Sequence, residues 1–307
     1  MTDRLHDILA AHASSYSISE CLHEVPPYEV HEVAVDGVRA VCKVDAHPEG
    51  EAAIEGRVHR YVDRETAVPV PEILAVGSDH YVMAYDGAVP DPEADISVRE
   101  WARPAGAGMA QLHAETARDR TGRPTVSDGR LTSETHDSWV ETALAFLRGR
   151  RAYLETVGHA DIADRVIEFV EANPAVFETD GQPVLCHGNW LPDHVGVERA
   201  RVEVARVQAV IDFEHALFAP PAYDYWRVVL PLFGDDKTAR ERFEAGYESV
   251  RPLPTDRREA HLLLNGVSYL RSLYLQDQHD PDTTERKAAQ FREGVSETLE
   301  TVRQSGV

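Results

Sequence analysis

Residues 184–197 read VLCHGNWLPDHVGV, and residues 210–216 read VIDFEHA. Each begins as a short hydrophobic run of strand-like length and ends in polar groups. The first delivers His187, Asn189, Asp193 and His194; the second delivers Asp212 and Glu214. Two strand ends that set carboxylate, amide and imidazole groups side by side suit a metal ion and an anionic substrate.

Upstream of these runs, about the first 90 residues alternate as strands do. Tyr28 to Val35 (YEVHEVAV) and Val38 to Val44 (VRAVCKV) flank Asp36-Gly37, a two-residue hairpin signal. In the second strand Val38, Ala40, Cys42 and Val44 share one face, and Arg39, Val41 and Lys43 share the other. A helix is predicted over 49–62, with Ile54, Val58, Tyr61 and Val62 at helical spacing. VPVPEILAVG (68–77) and HYVMAYDGA (80–88) read as two more strands around a Gly-Ser-Asp turn. The loop AVPDPEADI (88–96), rich in Pro and Asp, marks the expected boundary between a unit 1–88 and a unit 89–307. Beyond it the period becomes helical. Ser97 and Glu100 have the spacing of a capping box, and Trp101, Ala105, Met109 and Leu112 form one apolar stripe. Further helices are predicted over 134–156, 162–172 and 255–278, and the short strands VLCHG, HVGVE and VQAVIDF lie between the last two.

A chain of 307 residues is long enough for one large domain or two lobes. Its formal net charge is −22, from 53 acidic and 31 basic residues. Lys43, Lys237 and Lys287 are the only lysines; every other basic residue in that count is Arg. Few lysines and an excess of carboxylates are similar to the halophilic pattern, a surface that repels itself at low ionic strength and is screened at high salt. The charge argues against nucleic acid and anionic membranes as partners. It does not specify a cationic substrate, because salt adaptation explains it equally well. Cys21, Cys42 and Cys186 lack CxxC spacing, which fits a reducing cytoplasm and argues against a zinc site. The segment MTDRLHDILAAHA lacks the basic start and apolar run of a signal peptide. No apolar run approaches the ~20 residues that span a bilayer. The expected location is the cytoplasm.

Taken in order, these motifs resemble those of the kinase-like small-molecule phosphotransferases, the family of aminoglycoside phosphotransferases, choline kinases and fructosamine kinases. The resemblance implies an α+β fold in two lobes, protein-kinase-like, with a small antiparallel-sheet N-lobe and a larger, mostly helical C-lobe. It implies ATP (or GTP) and Mg²⁺ as cofactors and a small hydroxylated molecule as acceptor. Lys43 matches the strand lysine that contacts the nucleotide phosphates, and Glu55 matches the helix carboxylate that holds it, with Glu51, one turn earlier, as the competing partner. YVMAYDG (81–87) resembles the strand that ends beside the adenine, where backbone groups at Met83, Ala84 and Tyr85 would read the base. HGNWLPDH (187–194) resembles the catalytic HGDxxxxN loop. His187 and Gly188 match; Asn189 stands where the family has the catalytic Asp, and His194 where it has the metal-ligating Asn. Asp212 matches the Mg²⁺-binding Asp at a strand end, and Glu214 the acidic residue two positions later. Pro221-Ala222-Tyr223-Asp224 resembles a PAYD-like segment whose Asp braces the catalytic loop. No glycine-rich loop is visible in SISECLHEVPPYEVHEV (17–33).

Two departures bear on chemistry. An amide takes up no proton at neutral pH, so Asn189 is not a general base, although it can accept a hydrogen bond and position a hydroxyl. Phosphoryl transfer passes through a loose transition state that asks little deprotonation of the nucleophile. His194 is a soft ligand for a hard ion, and Asp193 is placed to assist it. Three readings stand at this point. One is a phosphotransferase. The second is a pseudokinase, a non-enzymatic nucleotide-binding protein on the same fold. The third is a metal-dependent hydrolase using His187, Asp193, His194 and Asp212.

Overall fold

The computed structural model describes residues 2–90, 97–179, 181–198, 206–255 and 258–304. The N-terminal lobe is built on one antiparallel sheet. Its strands are β1 (Tyr16–Val25), β2 (Tyr28–Val35), β3 (Val38–Asp45), β4 (Ile73–Val76) and β5 (His80–Ala84), in the order β1-β2-β3-β5-β4. The β2–β3 hairpin turns at Asp36-Gly37, both at positive φ (+47° and +82°), as a two-residue turn of this hand requires. Strand alternation divides the sheet into two faces. Ala40, Cys42, Val44, Val33 and Val82 face the back, where Leu5, Ile8 and Leu9 of helix α1 (Thr2–His12) cover them. Lys43 and Val41 face the interlobe cleft beside their cross-strand partners Tyr81 and Met83. Helix α2 (Ala52–Glu65) joins β3 to β4 and buries Val58 and Val62 against the second lobe.

The second lobe is mostly helical: α3 (Val98–Glu115), α4 (Trp139–Thr156), α5 (Ala160–Ala172), α6 (Ala222–Val228), α7 (Lys237–Glu248), α8 (Arg258–Gln276) and α9 (Pro281–Gln304). The predicted stripe of α3 holds: Trp101, Ala105, Met109 and Leu112 are all fully buried. The strands of this lobe are short. β6 (Thr121–Ser127), β7 (Arg130–His136), β8 (Val184–Cys186) and β11 (Leu217–Ala219) form a sheet in the order β7-β6-β11-β8, and β9 (Val195–Val197) pairs with β10 (Val207–Val210). Leu217 pairs with Cys186, so the chain leaving VIDFEHA runs back along the strand that enters HGN.

Three expectations are corrected. The helix expected from residue 134 starts at Trp139, because Asp128-Gly129 turns the chain and residues up to His136 return as β7. The working cap is Ser138, whose hydroxyl accepts from the Glu141 amide (3.2 Å). Ser97 makes no side-chain cap bond, so the predicted capping box is not closed. The N-terminal segment is a helix rather than part of the strand region. Of the loop 88–96, residues 91–96 lie outside the described residues. Among the described residues no helix is long and apolar enough to cross a membrane.

Candidate active site

The HGN loop is fixed from below. Gly188 sits at φ +79°, and a Cβ there would meet the carbonyl oxygen of His215 at 2.3 Å, so the position accepts only glycine. Asp224, in the first turn of α6, accepts from the His187 amide (2.7 Å), the Gly188 amide (2.6 Å) and the His113 ring (3.1 Å). Burial opposes its charge, but His113 and these amides hold its pKa below the usual carboxylate range. Three residues along α6, the Arg227 side chain donates to the Gly188 carbonyl and to Asn265 Oδ1. His113, Cys186 and Asp224 lie close enough together to suggest a metal site. Both oxygens of Asp224 already take hydrogen bonds, so the group is a brace.

His187 is fully buried with both ring nitrogens engaged. Nδ1 accepts from the Asn189 amide (3.0 Å), and Nε2–H donates to the Ile211 carbonyl (2.8 Å). Burial pushes its pKa down to about 4, which keeps the ring neutral in that tautomer. It ties the HGN loop to the strand entering Asp212 and has no nitrogen left for a metal. The hydrolase ligand set therefore loses His187.

Above this floor, charges converge from both lobes. Lys43 Nζ lies 2.7 Å from Glu55 Oε2, 2.9 Å from Asp212 Oδ1 and 3.7 Å from Glu214 Oε2. Glu55 is the partner; Glu51 instead pairs with Arg123. Burial disfavours the ammonium, yet Asp212, Glu55 and Glu214 together hold its pKa well above the ordinary value. Burial also opposes ionisation of Asp212, but Lys43 and then His194 draw it well below the ordinary range. Glu214 goes the other way: burial, then the neighbouring Asp212 charge, push it up to about 8. Two aromatic partners escaped the sequence reading. The Tyr28 ring lies 4.1 Å from Lys43 Nζ, and the Tyr81 hydroxyl donates to Glu55 Oε1 (2.9 Å). Tyr81 pairs across the sheet with Lys43, so strand register was the available signal.

Asp212 has φ +68°, an uncommon conformation for a residue with a side chain. Its Oδ2 accepts from Asn189 Nδ2 (3.2 Å) and lies 3.4 Å from His194 Nε2. His194 Nδ1 faces the Asn189 carbonyl at 2.9 Å, so in the neutral ring Nδ1 carries the proton. The Nε2 lone pair then points at a carboxylate oxygen. Two acceptors that face each other in this way require a proton or a cation between them, so Asp212 and His194 fit a metal ion. Asp193 is exposed, and its side chain makes no hydrogen bond or ion pair among the described residues. At the C-terminal end of β5 the Ala84 amide donates to the Glu72 carbonyl (2.8 Å) and the Tyr85 amide to the Arg39 carbonyl (2.9 Å). A base there would be read by carbonyl groups, not by those two amides. Val41, Met83, Ile73 and Ile211 form an apolar patch between the lobes beside it.

Comparison with known proteins gives a consistent result. The family model described as "phosphotransferase enzyme family" matches residues 27–263. No sequence among curated proteins is significantly similar to the chain. Among solved structures, the aminoglycoside phosphotransferase APH(4)-Ia superposes with a TM-score of 0.67 at 19% identity, covering 98% of this chain and 99% of that one. A thermostable mutant of the same enzyme, in ternary complex with ADP and hygromycin B, gives 0.63 at 17% identity, with 97% of each chain covered. A protein provisionally named fructosamine-3-kinase, from Thermobifida fusca YX-ER1, gives 0.64 at 16% identity and covers 97% of this chain and 98% of that one.

Proposed function

The chain belongs to the phosphotransferase enzyme family, and from that premise we propose that it transfers the γ-phosphoryl group of ATP (or GTP) to a hydroxyl of a small molecule. The observation that carries this reading is the interlobe clamp, Lys43 held by Glu55 and lying 2.9 Å from Asp212. A single buried ammonium between a helix carboxylate and a strand-end carboxylate matches the division of labour in kinases. Lys43 takes the phosphates, and Asp212 with His194 holds Mg²⁺, which when bound neutralises charge on the transferred group. The base lies on the apolar patch beside Met83, Ala84 and Tyr85. Asn189 orients the acceptor hydroxyl, and His187 positions the loop that carries Asn189. The acceptor oxygen forms a bond to phosphorus, and the bond from phosphorus to the β-phosphate oxygen breaks. The nucleoside diphosphate leaves with that electron pair. Asn189 keeps no proton, so the hydroxyl proton passes to solvent or to the transferred phosphate. We place the lobe boundary at 88/89, with nucleotide in the first unit and acceptor in the second. We assign the chain to the cytoplasm, with neither nucleic acid nor membrane as partner.

One observation favours the second reading, nucleotide binding without turnover: Asn189 Nδ2 donates to Asp212, which ties that side chain to the neighbouring carboxylate. The test is a titration of the protein with AMP-PNP, with and without Mg²⁺, at molar salt. Mg²⁺-dependent binding is expected, and its absence sinks both readings. Turnover by the unaltered protein on any hydroxylated acceptor removes the second reading. Turnover that appears only after Asn189→Asp removes the first.

A further inference from the structure

Beside the charge cluster lies a cavity of about 240 Å³ between the lobes, whose wall includes Glu214 and His215, the residues just past the clamp carboxylate Asp212. Three arginines line it: Arg123 from β6, Arg150 from α4 and Arg271 from α8. In a chain of net charge −22 three arginines on one wall stand out, although Glu49, Glu51 and Glu214 line the same cavity. Two of the three are neutralised, Arg123 by Glu51 and Arg271 by Glu49. Arg150 is not. Its Nε is sealed from solvent without a partner, and among the described residues its guanidinium makes no hydrogen bond or ion pair. Its Cζ lies 3.9 Å from the centroid of the Phe146 ring. Burial, and then the neighbouring Arg271, push its pKa down to about 10, so it remains a cation near neutrality. Glu214, the remaining carboxylate of the wall, lies 3.7 Å from Lys43 Nζ and 3.3 Å from His215 Nε2, and no ion pair joins it to Arg150 among the described residues. A half-buried guanidinium with no paired anion is a ready seat for one, and its planar fork suits carboxylate or phosphate.

We propose that this cavity is the acceptor chamber of the phosphotransferase and that the acceptor carries an anionic group, carboxylate or phosphate, seated on Arg150 with Arg271 behind it. The inference rests on the function proposed above and narrows it. The acceptor is a hydroxylated acid or a phosphorylated polyol, and a polycation such as hygromycin B is disfavoured. The same guanidinium chemistry would also suit the phosphates of the nucleotide, so the experiment separates the two sources.

Glycerol 3-phosphate and inorganic phosphate are titrated by calorimetry into protein saturated with Mg²⁺ and AMP-PNP, with glycerol and hygromycin B as uncharged and cationic controls. Saturable binding of at least one anion, and of neither control, is expected. Arg150→Gln should weaken that binding by about 10- to 100-fold, the loss of a charge-assisted hydrogen-bonded pair, with Arg150→Lys intermediate and AMP-PNP affinity unchanged. Arg271→Gln gives a second variant of the same wall, and far-UV circular dichroism checks that each variant is folded. The proposal is overturned if neither anion binds, if hygromycin B binds instead, or if the anions bind the folded Arg150→Gln protein as tightly as before. It is equally overturned if Arg150→Gln weakens AMP-PNP rather than the anion, which would give the guanidinium to the nucleotide. Failure of AMP-PNP to bind at all would strike the parent function alone. The anion titration would then be repeated on nucleotide-free protein, where loss of binding on Arg150→Gln still decides whether the chamber is anionophilic.

Discussion

Asp212 and Asp224 are both enclosed carboxylates at the floor of one loop, and burial opposes the charge of each. Their partners differ in kind. Asp224 takes two main-chain amides and the His113 ring, groups fixed by the fold, and its side chain is 0% exposed. Asp212 accepts from the ends of two side chains, those of Lys43 and Asn189, faces His194 Nε2 at 3.4 Å, and is 19% exposed. A carboxylate satisfied by backbone belongs to the scaffold, because nothing can replace its partners without unfolding the loop. A carboxylate satisfied by side-chain tips keeps partners that a metal or a phosphate can displace. The two aspartates thus divide one site into a brace and a working face.

The sharpest way to break this division is to remove each carboxylate. Asp224→Ala strands three buried donors at once and should cost about 3–5 kcal/mol in urea denaturation. Asp212→Asn keeps a residue that tolerates positive φ and leaves Lys43 paired with Glu55. It should cost under ~1 kcal/mol yet weaken Mg²⁺–AMP-PNP by about 100-fold or more. Equal stability losses would mean that the working face is also scaffold.

Lys43→Met tests the upper half of the same face. It removes the ammonium that three carboxylates share and should weaken nucleotide binding by about 10- to 100-fold, as loss of a charge-assisted contact does. Unchanged AMP-PNP affinity would move the phosphates elsewhere. A smaller effect is expected at Asn189. Asn189→Asp sets a second carboxylate where the amide now lies 3.2 Å from Asp212 Oδ2. Without a cation the pair repels, and stability should fall by about 1–2 kcal/mol; Mg²⁺ should restore it. Melting curves with and without Mg²⁺ read this directly. A variant no more Mg²⁺-sensitive than the parent would place the metal away from Asp212.

The brace and the working face were unequally legible in the sequence. The residues of the working face sit in dense local words, and the chain order Lys43, Glu55, HGN and IDFE is enough to predict that Lys43 meets Asp212, as it does at 2.9 Å. The PAYD segment likewise gave Asp224. What supports them was not read. His113 and Arg227 look ordinary on their helices, and only packing brings them to Asp224 and Gly188. Helix α1 escaped because its apolar residues are few, Leu5, Ile8 and Leu9, and acquire meaning only from the sheet back they cover. The β6–β7 hairpin carried its Asp128-Gly129 turn in plain view. Its strands are mostly polar, however, and no residue of β7 is buried, so hydrophobic alternation has little to report. The arginine-lined cavity was invisible because its walls come from segments far apart in the chain.

The smallest effect expected is a pH dependence that belongs to the working face alone. Glu214 has its pKa pushed from an ordinary 4.5 up to about 8 by burial and by Asp212. Between those values the folded protein keeps a proton that the unfolded chain has lost. Stability from this group is therefore fully present below about pH 4.5, declines as pH rises, and is gone above about pH 8, with a slope of at most ~1.4 kcal/mol per pH unit. Asp224, with a depressed pKa, contributes the opposite dependence, but only in acid, and is flat across this range. Glu214→Gln stays neutral at every pH. Urea denaturation of parent and variant at about pH 5.5 and about pH 8.5 should show the parent losing more stability than the variant over that interval. Because Lys43 lies 3.7 Å from Glu214 and holds its charge beyond this range, the difference isolates the carboxyl. Parallel losses in the two proteins would mean that Glu214 is already ionised at neutral pH, and that the wall of the cavity carries a full negative charge opposite Arg150.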